Sequence, residues 1–166
     1  MDIYNDNNNN DVNEIFEAAL KDPSLLSNIN IEDLIGSIED DKNNYLENKT
    51  TKMINEEIFN VIKKLDIPIE QKKTYCDKLI GYRYVYELHE LHKGKHVRWI
   101  RESNNNLTNG GIIVDIKFGS NGTLVLCMNN QKKFIQYKFN ECHTFQKMNE
   151  TEQLIVMAYE YSQKIN

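Results

Sequence analysis

The sequence has few of the residues, and none of the long apolar runs, on which several classes of protein depend. Its 166 residues include 2 Pro, 7 Gly and 3 Cys. The mean hydropathy is −0.64, and no run approaches the roughly 18 apolar residues of a membrane-spanning helix. Residues 1–5 show neither the basic nor the apolar part of a secretory signal. We therefore expect no membrane span and no secretory signal.

Cysteine usage argues against a disulfide scaffold. The sequence has an odd number of cysteines, Cys76, Cys127 and Cys142, and no CxxC pair. This pattern is typical of a reducing compartment. Asn is abundant, with 23 residues, whereas Ala occurs three times. This bias is typical of an AT-rich genome, so a single Asn gives weak support for a helix cap or a ligand.

The motifs of common catalytic sites are missing too. The sequence contains no GxSxG, no P-loop and no GxGxxG. Cys127 lies in an apolar run, which predicts a buried and unreactive thiol. We therefore expect no enzyme activity, no catalytic residue and no cofactor.

Charge is distributed unevenly along the chain. Residues 1–70 hold 16 acidic and 6 basic side chains, whereas residues 71–166 hold 9 acidic and 14 basic ones. This asymmetry is typical either of an acidic arm beside a basic binding module or of two solvated surfaces that attract each other. The total charge of −5 argues against strong non-specific binding of DNA.

The first half of the chain predicts helices. Residues 1–10 form an Asn-rich lead that we expect to be disordered, and residues 11–66 form an acidic helical region. Apolar residues recur there at helical spacing, most clearly at Ile54, Ile58 and Val61. Residues 67–166 form the rest of the protein and begin with a long helix from Pro68 to about residue 94. The alternation of Tyr82, Tyr84 and Tyr86 favours a strand instead, against the helical spacing around it.

The second half predicts a small sheet. After Gly94 the apolar period changes to two, and five short strands follow within residues 94–148. Residues 119–122 are a clear turn, and Asn149 with Glu152 predicts the capped start of a last helix. A nearly closed barrel would remove the strand edges. We therefore predict an α+β fold with N-terminal helices, a long central helix, a five-stranded antiparallel SH3-like barrel and a C-terminal helix.

Three segments carry a family resemblance. GKHVRWI (residues 94–100), LTNGGI (107–112) and FQKM (145–148) resemble small proteins of unassigned function from AT-rich giant (nucleocytoplasmic large) DNA viruses. The resemblance covers about residues 82–160 and leaves out the N-terminal helices. It implies a viral protein of the host cytoplasm, in a viral factory, or of the virion. It implies no catalytic residues.

A basic strand is the first candidate site. Residues 93–101, KGKHVRWIR, hold four cations, which gain affinity for phosphates by counterion release, and Trp99 would stack on a base. The interpretation we favour is a solvated strand whose Val97 and Trp99 face the core, and we predict that Trp99 packs against Val114, Ile116 and Tyr137. The candidate residues for binding nucleic acid or a partner are Lys93, Lys95, Arg98, Arg101, Lys132 and Lys133.

A metal site is the weaker candidate. His89, His92, His96 and Cys142 would have to meet across the junction between helix and strand, and no recognised zinc spacing supports this. We therefore predict no metal. The tyrosines of the central helix suit either one core or a partner interface.

The sequence thus favours a non-enzymatic binding or adaptor module that acts through a protein partner in a viral assembly or expression complex. RNA or single-stranded DNA, bound by the basic strand, is the alternative, and a small enzyme is the least favoured of the three. The oligomeric state stays open.

Overall fold

The computed structural model describes residue 36 and residues 41–165 of the chain. Residues 41–165 form three α-helices, six β-strands and three short 3-10 helices. The α-helices are α1 (Thr51–Ile62), α2 (Ile69–Lys78) and α3 (Glu150–Ile165). The strands are β1 (Tyr82–Val85), β2 (His96–Arg101), β3 (Gly111–Gly119), β4 (Gly122–Met128), β5 (Phe134–Lys138) and β6 (Cys142–Lys147). The 3-10 helices are Asp41–Leu46, Leu88–Glu90 and Phe139–Glu141.

The chain divides into two units, which we describe one at a time. One unit is Ile54–Met148 and contains the whole sheet; the other combines the chain up to Met53 with Asn149–Asn166. The combination of helices with an antiparallel sheet makes the described chain an α+β protein, as predicted from the sequence.

The six strands form one antiparallel sheet in the order β1-β6-β2-β3-β4-β5. Within the described residues, β1 and β5 are therefore the two edges. The β3–β4 hairpin turns between Gly119 and Gly122, which confirms the turn predicted there. Strand β6 pairs with both β1 and β2, which come from a distant part of this unit, so the sheet depends on long-range pairing.

Two predictions about this unit are wrong. The antiparallel sheet has six strands instead of the five predicted for the barrel. The predicted long helix ends at Lys78, and Tyr82–Val85 form β1. Gly81 adopts a φ of +86° between them, a conformation that glycine tolerates at a turn. The alternating tyrosines therefore match the structure, and the helical spacing around them does not.

Helices α1 and α2 cover one face of the sheet over β1, β6 and β2. Ile54, Ile58 and Ile62 recur every fourth residue and are buried, which makes α1 amphipathic. The side-chain oxygen of Thr50 accepts the N–H of Met53 at 3.1 Å and caps the start of α1. The buried cluster beneath the helices consists of Ile58, Ile62, Leu65, Tyr75, Leu79, Tyr82, Ile100 and Phe145.

The opposite face of the sheet curls around a second cluster. Trp99 is 1 % exposed, and its ring stacks on Tyr137 with centroids 4.2 Å apart. Since β2 and β5 are not neighbours in the sheet, this contact requires strong curling. The hydroxyl of Thr144 donates to the phenol oxygen of Tyr137 at 3.1 Å. The cluster consists of Val85, Leu91, Val97, Trp99, Ile113, Val125, Cys127 and Tyr137.

A β-bulge in β3 changes which apolar residues of this strand face the core, so the strict alternation predicted from the sequence does not hold along it. The pairing register with β4 shifts between Ile113 and Asp115. Ile113 is 2 % exposed, whereas Ile112 and Val114 are 43 % and 41 % exposed. Because a bulge adds one residue to its strand, Ile113 and Ile116 both pack against the second cluster. The predicted burial of Trp99 beside Tyr137 is confirmed, but its predicted contact with Val114 is wrong.

In the other unit, α3 begins with the predicted capping box. The N–H of Glu152 donates to the side-chain oxygen of Asn149 at 2.8 Å, and Glu152 accepts the N–H of Asn149 at 3.2 Å. Tyr45 donates from its hydroxyl to the second carboxylate oxygen of Glu152. The predicted disordered lead and the helices predicted before residue 40 lie outside the described residues, except for helical Gly36.

Candidate binding surface

Nine side chains of β3, β4 and β5 share a sheet face that belongs to neither buried cluster. Residues paired across strands point to the same face, and successive residues alternate between faces. The register therefore gives three rows of three. We call these nine residues the outer face; its rows are Ile112–Met128–Phe134, Asp115–Leu126–Gln136 and Lys117–Leu124–Lys138.

The outer face is apolar along its middle. Leu124, Leu126 and Met128 follow one another along β4 and are half-buried. At one end, Phe134 is 64 % exposed and Ile112 is 43 % exposed. α1 and α2 bury the β1–β6–β2 half of this same sheet face, and no helix of the same unit covers the β3–β5 half. Contiguous exposed apolar surface of this kind marks interaction sites.

The charges of the outer face lie in its middle and last rows, at Asp115, Lys117 and Lys138. Asp115 accepts the N–H of Ile116 at 2.9 Å and lies 3.4 Å from the ammonium nitrogen of Lys93. The backbone N–H, followed by Lys93, holds the pKa of Asp115 below its ordinary value. The carboxylate of Asp115 is thus balanced by Lys93, and the row with Lys117 and Lys138 is left cationic.

The structure does not bring the six predicted cations onto one face. Lys93 is paired with Asp115. Arg98 lies on the face that α1 and α2 cover, where its Nε donates to the carbonyl of Thr108 at 2.9 Å and its Nη1 to that of Lys78 at 3.4 Å. Arg101 lies on the opposite face, with its Cζ 6.0 Å from the centre of the Trp99 ring. Arg98 and Arg101 therefore support the fold locally.

The other three cations lie at strand ends. Lys95 precedes β2, and its carbonyl accepts the N–H of Ile113 at 2.9 Å. Lys132 and Lys133 are exposed in the turn between β4 and β5. Of the sequence-predicted residues, Lys132 and Lys133 are adjacent to the outer face through Phe134.

Lys132 holds a strained position in that turn, with a φ of +60°. The N–H of Lys132 donates to the carbonyl of Asn129 at 3.0 Å, as in three-residue hairpin loops that prefer Gly at this place. We expect Lys132→Gly to raise the free energy of unfolding by about 0.5–1 kcal/mol, because relief of left-handed strain outweighs the added chain entropy. Urea denaturation measures this difference.

Lys133→Gly is the matched control, since it removes the same charge one residue later, where φ is not positive. It should lower the free energy of unfolding. Equal changes in both variants would show that charge, and not backbone strain, sets the stability of this turn.

One pocket of about 250 Å³ lies beside the 3-10 helix after β5 and is lined by Arg101, Glu102, Ser103, Lys138, Glu141 and Cys142. Its two cations and two carboxylates balance in charge, with Lys138 and Glu141 3.7 Å apart. Burial raises the pKa of the Cys142 thiol to about 11, so the thiol is protonated at neutral pH and is a poor nucleophile. The arrangement therefore lacks an activated group.

The histidines and cysteines do not form a site in the described residues, where no three His, Cys, Asp or Glu side chains are placed to hold a metal ion. His89 is exposed and lies 3.1 Å from Glu87. His96 bonds through Nδ1 to the hydroxyl of Tyr82 at 2.9 Å. Burial, followed by nearby Arg98, lowers the pKa of His96. Cys127 is fully buried, with its pKa raised to about 12, as predicted for an unreactive thiol.

Comparison with known proteins gives no relative. No protein-family profile, no curated protein and no solved structure matches the chain. Within residues 41–165, no helix combines the length and the apolar character that crossing a membrane requires.

Proposed function

We propose that the chain is a non-enzymatic binding module that engages a protein partner through the outer face. The observation that carries this proposal is the half-buried apolar strip of Leu124, Leu126 and Met128, which no helix of its own unit covers among the described residues and which Ile112 and Phe134 extend. On the other half of the same sheet face, α1 and α2 bury comparable side chains. A partner that covered the strip would gain about 25 cal/mol for each Å² of apolar surface removed from water.

Nucleic acid fits this surface less well. Single-stranded RNA or DNA is held by aromatic rings that stack on bases and by cations that follow the phosphates. The outer face has one aromatic ring, Phe134, and an aliphatic middle. Arg98 and Arg101 lie on opposite faces of the sheet, so the basic strand presents no continuous track. The resemblance to giant-virus proteins, with the cytoplasmic or virion location it implies, stays a prediction.

Photo-crosslinking from a single site tests the proposal. Benzoylphenylalanine would replace Phe134, whose ring is 64 % exposed on the outer face. The matched control carries it at Phe118, which is 78 % exposed but belongs to the opposite face near the β3–β4 turn. In irradiated cells that express the full chain, we expect an adduct at position 134 that protease destroys and nuclease leaves intact.

A second change identifies the surface that forms the adduct. Leu126→Lys places a charge at the centre of the outer face without touching either buried cluster, and it should abolish the adduct while thermal unfolding stays cooperative. Equal crosslinking from positions 134 and 118 would remove the proposal. An adduct that nuclease destroys would contradict the protein partner and indicate nucleic-acid binding instead.

A further inference from the structure

We propose that the partner contributes an extended, acidic segment that pairs as a strand with the free edge of β5. This inference rests on the proposed function and specifies its binding mode. Within the described chain, β5 pairs with β4 on one side and with no strand on the other. Addition of a strand to an exposed edge is an established mode of peptide recognition, in which backbone bonds give affinity and alternate side chains give specificity.

The register identifies which backbone groups of β5 are free. The N–H of Asn129 donates to the carbonyl of Lys133 at 2.9 Å, so this pair is a hydrogen-bonded one. Such pairs alternate along an antiparallel ladder, which places the backbone bonds to β4 at Ile135 and Tyr137. The N–H groups of Phe134, Gln136 and Lys138 and the C=O groups of Phe134 and Gln136 therefore point away from β4, towards the open edge, whereas the C=O of Lys138 begins the 3-10 helix Phe139–Glu141.

The same three residues form the outer column of the outer face. A strand added beside them would continue the rows of the outer face, so one set of its side chains would lie next to Phe134, Gln136 and Lys138. Next to Phe134 the strand would present an apolar side chain, and next to Lys138 a carboxylate. The added strand would thus cover Phe134, the exposed end of the apolar strip, while the β4 residues of the strip lie one strand further in.

Charge determines which segment fits. Residues 129–138, NNQKKFIQYK, contain three Lys and no acidic residue. Lys138 is 3.7 Å from Glu141, and both side chains are exposed, so this pair offsets the charge only slightly. Two copies of this cationic edge would repel each other, since lysines on an edge oppose self-pairing. An acidic strand is attracted instead, which favours a different protein over a second copy of the chain.

A synthetic probe tests the binding mode on the full chain. The probe is an acetylated, amidated octapeptide that alternates Glu and Val. Amide hydrogen exchange and ¹⁵N chemical shifts of the protein measure its binding. We expect the amides of Phe134, Gln136 and Lys138 to become protected. The amides of Ile135 and Tyr137, which already bond to β4, should exchange as before. One control peptide carries Lys in place of each Glu, and the other carries an N-methyl group at every residue. Neither should protect these amides.

A backbone substitution gives an independent test. Gln136→Pro removes an N–H that points to the open edge and keeps the bonds between β4 and β5, a placement in which edge strands tolerate proline. It should weaken binding of the Glu/Val peptide about tenfold, as loss of a strand hydrogen bond predicts. Gln136→Ala, which keeps the N–H, should bind like the natural chain. Circular dichroism verifies that both variants keep the sheet.

The outcomes separate this inference from the proposed function. Absence of protection at saturating peptide, or equal binding by the lysine or N-methylated peptide, would overturn strand pairing. If crosslinking from position 134 nevertheless yields a protein adduct, the outer face binds a partner by another mode. If crosslinking fails while the peptide protects the three amides, the edge pairs as inferred but the apolar strip is not the contact surface.

Discussion

Replacing Trp99 by alanine should lower the free energy of unfolding by about 3–5 kcal/mol, the usual cost of removing a large buried aromatic side chain. Trp99 is 1 % exposed in the second cluster and stacks on Tyr137 at 4.2 Å. That stacking joins β2 to β5, two strands that share no hydrogen bonds. The substitution therefore removes packing from the interior of the curled sheet, and the remaining cavity has few ways to collapse.

Urea denaturation followed by far-UV circular dichroism measures this loss. Phe118→Ala is the matched control, because Phe118 is 78 % exposed and surface substitutions change stability by about 0.5 kcal/mol or less. Trp99→Phe should fall between the two, since it keeps a ring against Tyr137. Similar losses for Trp99→Ala and Phe118→Ala would contradict the packing described for β2 and β5.

Removing the charge of Glu90 should cost about 3 kcal/mol or more, because one member of a buried ion pair would lose its partner. Arg83 and Glu90 are 3 % and 8 % exposed. Their side chains are 3.4 Å apart, and a second guanidinium nitrogen donates to the Glu90 carbonyl at 2.6 Å. The remaining carboxylate oxygen accepts the N–H groups of Tyr86 and Glu87 at 2.9 Å and 2.7 Å. Glu90 thus fixes the connection from β1 to β2.

Glu90→Gln keeps the shape of the side chain and isolates the effect of the charge. Glu141→Gln removes an exposed carboxylate whose partner is Lys138, and it should change the free energy of unfolding by about 0–1 kcal/mol. The double variant Arg83→Met with Glu90→Met removes both charges and should recover part of the loss. If Glu90→Gln and Glu141→Gln are equally mild, the pair between Arg83 and Glu90 does not hold this connection.

Features set by neighbouring residues could be predicted from the sequence. The capping box of Asn149 and Glu152 depends on residues three apart. The Gly119–Gly122 turn is fixed by its own glycines. Val97 and Trp99 share a buried face because strand alternation is local, and the inert thiol of Cys127 follows from the same alternation.

Features set by long-range pairing could not be predicted. β1 pairs with β6, some 60 residues later, so the local spacing of Leu79 and Ile80 predicted a helix in its place. The bulge at Ile113 depends on the register with β4, which no spacing within β3 reveals. Arg98 was predicted to be a binding residue because its acceptors, the carbonyls of Thr108 and Lys78, lie elsewhere in the chain and are not apparent from the local sequence.

The outer face could not be predicted from the sequence for the same reason. Ile112 and Phe134 belong to one row only because β3, β4 and β5 pair in one register. One sequence signal does indicate the face: three Lys and no acidic residue surround Phe134 in residues 129–138. It differs from the basic strand at residues 93–101, whose cations the fold separates.

The capped start of α3 sets an order of events during synthesis. Tyr45 and Glu152, which are hydrogen-bonded in the native protein, are separated by 107 positions. At about 5–20 residues per second, the ribosome adds Glu152 roughly 5–20 s after Tyr45. Ile54–Met148, which contains every strand of the sheet, is polymerised within that interval. The nascent chain therefore contains all six strands of the described sheet before Glu152, the hydrogen-bond partner of Tyr45, is added.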